Sequence, residues 1–600
     1  MIMKKRQKQL AAYVVMALCI SPLAAKAHTK PEAQDPSWVA KSNRYTALLM
    51  NLDKKYSPEH WSAEGAAPYD SEISVPSPAN QATQRKEKQL LLNSYIASLR
   101  TEQDLAVKHD LNILINNIQL DLRRHDFEKE HIVPFMNAAA MMYGGLSVLL
   151  NDEIPAARRD AAVIRMRKYA GMEKGYRPYA TLLRERTARQ IAGKDMVYPP
   201  VQQIEAGLSR NAILIGRIET LCKEYKLSGW EEPYQKIKAQ VAEYDLWVRQ
   251  HVLVKARQDA RLPPEEYALA LEASGIDIPP AELAASAHAA FTSIQHDMQQ
   301  IAKQIAEQRH LPSADYRDVI AELKKEQIHG DAILPLYEGH LKEIEEIIRK
   351  QQQLTLPDQP AIVRMASAAE TAKMPAPSIV PPSFLNNTGQ RAQFILPFNP
   401  PVAPGGKETI KYDDFTFDAI SWDLIAHEAR PGHDLQIDKL IDNKMSQARY
   451  QYAANSTNVE GWGMYARYII APYIPLEGQL MSLDQRLLSA ASAFLEVELQ
   501  AGKVTQQQAV EILTNDVVLS KGFAQKQAAG YLSITPEQSN AGYFHGFSKL
   551  IDLRKETAAT LGNQFNVRRF HDFILAQGLL PPALIRDAVM KEFVPSEKNK

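Results

Sequence analysis

The chain of 600 residues carries 70 basic and 70 acidic side chains, and 45% of it is hydrophobic. That balance, with a pI near 7.3, excludes the basic footprint of a nucleic-acid-binding protein. Length and apolar content suffice for one large helical body or for two or more domains.

The first element in the chain is a targeting segment. Lys4-Lys5-Arg6 gives a positive start, Leu10 to Ala24 an apolar stretch, and Ala25-Lys26-Ala27 a small-x-small cleavage site. Residues 1–27 therefore read as a signal peptide cleaved after Ala27. The apolar run is too short and wrongly flanked to span a bilayer. The expectation is export to a bacterial periplasm, with no stable membrane insertion after cleavage. Cys19 follows Leu18, larger than the small residue a lipoprotein signal requires, which argues against a lipid anchor. Cleavage leaves Cys222 as the lone thiol. It can build neither an intramolecular disulfide nor a thiolate-rich zinc site, and it reads as buried packing.

Residues 28–260 form an N-terminal helical region, with long polar and charged helical stretches over roughly 83–118, 157–192 and 230–258. His109, His125 and His131 are dispersed there and read as surface residues. Residues 261–600 form the catalytic region. Pro279-Pro280-Ala281-Glu282 opens a helix that runs to about Glu307. Its stripe of Phe291, Ile294, Met298, Ile301 and Ile305 recurs at helical spacing, and Leu341, Ile344 and Ile348 mark another helix. From about 354 to 410 the composition turns to Pro, Asn and Gly, with Gln393-Phe394-Ile395-Leu396 a strand candidate. Residues 360–400 are read as a small sheet with loops, and helix resumes from about Asp414.

The run His427-Glu428-Ala429-Arg430-Pro431-Gly432-His433 joins two imidazoles to a carboxylate, the ligand and base types of a zinc hydrolase. Its histidines stand six apart, about 600° of helix, which leaves them some 120° out of phase. Pro431 removes a helix hydrogen bond and Gly432 tolerates unusual dihedrals, so a bulge or break there would swing His433 back. The competing reading is an ordinary helix stop at Arg430, with His433 opening the next element. A catalytic zinc usually takes three protein ligands plus water, so a further carboxylate or His is expected on a neighbouring helix. Glu460 lies 27 residues after His433, in a helical run from Ala453 to Ile470. On spacing alone it is as readily a solvated residue or a salt-bridge partner.

Tyr543-Phe544-His545 follows the glycine-containing turn Asn540-Ala541-Gly542 and offers two donor types for a tetrahedral oxyanion. If the segment is extended, Tyr543 and His545 point the same way; if it is helical, they diverge. A core tyrosine with a bonded hydroxyl is the competing reading.

The stretch from His427 to Gln436, followed by Asn458-Val-Glu-Gly-Trp-Gly-Met-Tyr-Ala466, resembles the large bacterial family called domain of unknown function 885. That family is grouped with the gluzincin-type zinc peptidases. The resemblance extends to Pro264-Glu-Glu-Tyr267, the helix after Pro280, Pro536-Glu-Gln538, Tyr543, Leu553-Arg554, Phe570-His571-Asp572 and Gly578-Leu-Leu-Pro581. It implies one Zn²⁺ per chain on His427, His433 and Glu460, with Glu428 as the base. Tyr543 matches a family position, and Arg554 and His571 are candidates for a substrate carboxylate or a supporting contact. The chain departs from the family pattern at Asp434, at Pro536-Glu-Gln538 and at Glu498-Leu499-Gln500, which bears on substrate preference more than on hydrolysis.

With this resemblance the expected fold is predominantly α. It is a large helical gluzincin-like peptidase body with a small β-sheet beside the zinc-motif helix and a central substrate cleft. The expected protein is an exported zinc metallopeptidase acting on short or unfolded peptides through a zinc-activated water, with Glu428 as general base. A zinc-dependent amidase or esterase is the second reading. A catalytically silent binding protein is the third, and it should lack the base that Glu428 supplies. The sequence specifies neither oligomeric state nor endo- versus exopeptidase action.

Overall fold

The computed structural model describes residues 37–600 apart from 153, 368–369, 372–373, 375, 383, 385–386, 388, 398–411 and 535–537. The signal-peptide and Cys19 readings lie outside the described residues. Helix dominates the remainder, but several expected helices are subdivided. The stretch over 83–118 becomes Pro78–Thr101 and α1, Leu105–His131. The backbone turns extended at Glu102. Asp104 then starts α1 by accepting from the amides of Ala106 and Val107, an N-cap that satisfies two orphan donors. The stretch over 157–192 likewise divides between Ala161–Tyr169 and Tyr179–Ile191, and the third ends at His251.

These N-terminal helices bury two apolar cores, one around Leu49, Leu92, Tyr95 and Leu111, the other around Met142, Met166, Ile218 and Ile237. Cys222 is buried in the second, and burial pushes its thiol up to about 12. His109 is not a surface residue: it is 2% exposed and hydrogen-bonded to Asp587 at 2.9 Å. The reason is that α1 packs back onto the C-terminal part of the chain. Beside it Asp110 pairs with Arg449 at 2.8 Å, each side chain 1% exposed.

The largest core belongs to the second half of the chain. α2, Pro280–Arg309, buries Ile294, Met298 and Ile305, and α3, Ile333–Gln351, buries Leu341, Ile344 and Ile348. The expected small sheet is present as β1, Ile362–Met365, β2, Ser378–Val380, and β3, Gln393–Leu396. β3 is central, parallel to β1 and antiparallel to β2, with Ile379 opposite Phe394. Helix resumes at α4, Asp418–Glu428, then α5, His433–Asp442, and α6, Ser456–Ile470. After these come α7, Leu476–Gln500, α8, Ala541–Leu561, and α9, Val567–Leu575.

α7 packs along α2, and α6 packs along α8. The second pair meets backbone to backbone: a Cβ on Gly546 would stand 1.9 Å from the Thr457 carbonyl oxygen, and one on Gly461 2.7 Å from Gly546 Cα. Glycine at both positions lets the two helices close on each other. Among the described residues no helix is long and apolar enough to cross a membrane.

Candidate metal centre

The helix carrying His427 breaks where proline and glycine predict. α4 ends at Glu428, Ala429 leaves helical geometry at φ −101, ψ −100, and α5 begins at His433 after Gly432 at φ −76, ψ −133. The chain takes a full break rather than a bulge, so His433 does open the next element. Even so, the break turns both imidazoles toward each other, with ring centroids 4.6 Å apart. Trp462 Nε1 donates to the Pro431 carbonyl at 3.0 Å, tying α6 to the break.

Glu460, in the second turn of α6, completes the cluster. Its Oε2 lies 3.4 Å from His427 Nε2 and 3.3 Å from His433 Nε2. Donor atoms held about 2.1 Å from a tetrahedral ion stand roughly 3.4 Å apart, so the spacing fits such an ion. All three ligand atoms fall within 4.8 Å of one another. The Nδ1 atoms of both rings are buried without hydrogen-bond partners, leaving the Nε2 edges as the convergent donors. The Glu460 side chain keeps 22% of its surface open, so the cluster is reachable. The set could hold one divalent metal.

The electrostatics point the same way. Burial lowers His427 to about 3, aided by the positive Arg467, so its ring is a neutral donor. Burial also opposes charge on His433, but Glu460 outweighs it and raises that ring to about 9. Burial would raise Glu460, yet His433 and His427 hold it well below the usual carboxylate range. Without a metal the protonated His433 balances the Glu460 carboxylate; a divalent metal bound there would supply that charge in its place and displace the His433 proton.

Glu428 follows His427 directly and is half-buried. Burial raises its carboxyl to about 7, and the backbone amide of Ile379 donates to it. That amide belongs to the outer strand β2, which brings the small sheet to the site as expected.

Tyr543 sits in the first turn of α8, its ring parallel to His427 at 6.4 Å. Its hydroxyl bonds Glu460, and burial with two neighbouring carboxylates keeps it protonated far above its usual range. The segment is helical, so His545 diverges; it bonds Asp277 at 2.8 Å instead. His571 and Arg554 gather on another side of α6, both at the Tyr465 hydroxyl, at 2.8 and 3.4 Å. Tyr465 lies about 140° around the helix from Glu460. His571 is fully buried, also bonds the Gln353 carbonyl at 2.7 Å, and is lowered to about 4 by burial. Neither is brought to the cluster.

Several supporting residues escape sequence reasoning. Arg467 pairs with Asp423 at 3.0 Å, both buried, joining α6 to α4 one turn before His427. Gly463 lies against the His427 ring: a Cβ there would be 2.5 Å from Cε1. Two glycines in one helical run, Gly461 and Gly463, were the available signal, since each costs about 1 kcal/mol in a helix. Glu496 of α7 accepts from the Ser539 hydroxyl and, at 2.9 Å, from the Asn540 amide, anchoring the start of α8. Asp434 is absorbed in a buried network, bonded to Arg430 at 2.6 Å, which also holds Asp438 at 2.9 Å.

The model of the family described as bacterial protein of unknown function (DUF885) matches residues 58–589. A solved structure of a candidate lipoprotein of unknown function from Shewanella oneidensis has a TM-score of 0.71 at 17% identity, covering 93% of this chain and 100% of that one. A candidate lipoprotein from Colwellia psychrerythraea has a TM-score of 0.70 at 16% identity, covering 94% of this chain and 100% of that one. Identities this low establish a shared fold alone. No curated protein matches the chain.

Proposed function

The chain belongs to the bacterial DUF885 family, and we propose that it is an exported zinc-dependent metallopeptidase acting on short or unfolded peptides. The observation that carries this reading is the convergence of two Nε2 atoms and one carboxylate oxygen at 3.3 and 3.4 Å, with a second carboxylate, Glu428, directly beside them. Bound there, one Zn²⁺ would polarise a carbonyl and acidify a water molecule.

The chain's own residues supply the proton chemistry. Glu428, raised to about 7, can accept the water proton near neutral pH and return it to the leaving amine. Tyr543 keeps its hydroxyl proton and donates to the carbonyl oxygen as negative charge develops there. The outer strand β2 supports a peptide over other amides and esters. Its Ile379 amide is turned away from β3 to Glu428, and an extended peptide can dock along such a strand. The solved relatives are described as candidate lipoproteins, which accords with export.

The test is Glu428→Gln. It should keep fold and zinc content while hydrolysis of a mixed peptide library falls by several orders of magnitude. Hydrolysis at the wild-type rate would remove the mechanism. Activity confined to non-peptide amides or esters would favour the amidase or esterase reading.

A further inference from the structure

Behind the metal centre lies a cavity of about 240 Å³ whose wall comes from α6, α8, α9 and the short helix Pro582–Ala588. None of His427, Glu428, His433, Glu460 or Tyr543 lines it. Asn458 and Trp462 do, each about 160° around α6 from Glu460, so it occupies the face of that helix opposite the cluster. Leu553, Ile574, Leu575, Leu580 and Ile585 also line it, and every one is buried. Protein cores leave few voids larger than a water molecule, and an apolar cavity of about 150 Å³ takes up benzene. This one has room for a substituted ring.

The polar groups of the wall define what else fits. Gln436 donates to the Asn458 carbonyl at 3.2 Å, Thr457 to the Ser274 carbonyl at 2.6 Å, and Asn458 to the Ala453 and Leu579 carbonyls at 2.7 and 2.9 Å. The cavity reaches the surface at Asp552 and Arg586, both exposed. There Arg586 pairs with Glu556 at 2.5 Å, and Lys549 pairs with Asp277 at 3.1 Å. The Asp552 carboxylate has no hydrogen-bond or ion-pair partner among the described residues. The opening thus holds one uncompensated charge, and it is negative.

Trp462 joins the cavity to the metal centre. Its indole lines the cavity while its Nε1 donates to the Pro431 carbonyl, in the break that brings His433 to His427. Gly546, where α8 closes on α6, is part of the same wall.

We propose that this cavity is an effector site for a small apolar amine, with its aliphatic or aromatic body among the buried side chains and its ammonium at Asp552. Binding itself needs no metal; its consequence rests on the zinc reading above. A body packed against Trp462 holds the indole on Pro431 and both imidazoles in place, so the amine tightens zinc binding. By linkage, zinc tightens amine binding by the same factor.

The test uses the whole protein, metal-free and zinc-loaded, with 2-phenylethylamine as the probe. Its uncharged and anionic counterparts are 2-phenylethanol and 3-phenylpropanoate. Calorimetry should show the amine binding about two- to fivefold more tightly than the alcohol, the range of an exposed ion pair, and the carboxylate most weakly. Asp552→Asn should remove the preference for the amine. Leu553→Phe fills the cavity and should abolish binding of all three; Leu550→Phe, at the half-buried rim, blocks the same space should the first variant not fold. Chelator competition should show zinc affinity rising about fivefold or more in saturating amine, the lower end of ordinary coupling. Trp462→Phe, which lacks the bond to Pro431, should lose that rise.

No binding of any probe, or binding that survives the cavity-filling variants, overturns the site. Binding of the amine no tighter than that of the alcohol overturns the choice of ligand. Amine binding that leaves zinc affinity unchanged overturns the coupling. If the protein takes up no zinc at all, the metal reading fails, and calorimetry on the metal-free protein still decides the cavity.

Discussion

In Gly463→Ala the new methyl group would stand 2.5 Å from His427 Cε1, 2.8 Å from Nδ1 and 2.9 Å from Nε2. Non-bonded heavy atoms settle at about 3.5–4.0 Å, so the ring must retreat by roughly 1 Å. His427 is buried, and forcing extra volume into such packing costs about 1–3 kcal/mol. The same retreat would stretch the 3.4 Å gap between His427 Nε2 and Glu460 Oε2 to about 4.4 Å. Two donors each about 2.1 Å from one ion cannot stand more than about 4.2 Å apart. The ring therefore leaves the ligand set or the cluster distorts. Zinc affinity should fall at least 10- to 100-fold, the cost seen when ligand orientation is lost. Competition with a chromophoric chelator measures the affinity, and denaturant unfolding of the metal-free protein measures the packing cost. Wild-type values in both would refute this account of how His427 is seated.

Tyr543→Phe should lower kcat by about 10²–10³-fold with little change in KM or zinc content, because the lost donor acts only in the transition state; steady-state kinetics with metal analysis decide it, and a silent substitution removes Tyr543 from the mechanism. Glu496 gives a pH prediction. Burial raises its folded-state carboxyl from 4.5 to about 7, so the folded state binds the proton more tightly and wild-type stability falls as pH rises between those values. Glu496→Gln lacks that dependence. Its stability should gain on the wild type by roughly 3 kcal/mol from pH 4.5 to 7 and then level off, as urea titrations at several pH values would show; a constant difference would contradict it.

The break between α4 and α5 was legible because its cause is local: proline and glycine stand inside the six-residue interval. The convergence of His433 on His427 was legible only as a consequence of that break. Glu460 carried no local signal stronger than its spacing and entered through the family resemblance. Ile379 and Glu496 were illegible for a different reason. One meets Glu428 and the other the start of α8 from a distant segment of the chain, and no periodicity encodes which backbone amide or carboxylate will do so. His109 misled because a polar residue on an amphipathic helix reads as solvated until its partner, Asp587, is known. The division of the 83–118 stretch was in principle visible at Asp104, an N-cap residue type just before an apolar run.

The Arg449–Asp110 pair bears on how the protein can be cut. It joins the first helical region to the stretch between His433 of α5 and Glu460 of α6, in an interior where each side chain is 1% exposed. A fragment starting near residue 261 would lose both Asp110 and the Trp38 ring that cover Arg449, and it would expose Ala448 and Tyr452, which pack into the core of the first helices. It would also strip Asp53 from the Tyr452 hydroxyl and His109 from Asp587. The half of the chain that carries His427, His433 and Glu460 is therefore not a detachable module. Fusions, tags and proteolytic trimming belong at the ends of the 37–600 unit rather than at its internal seam.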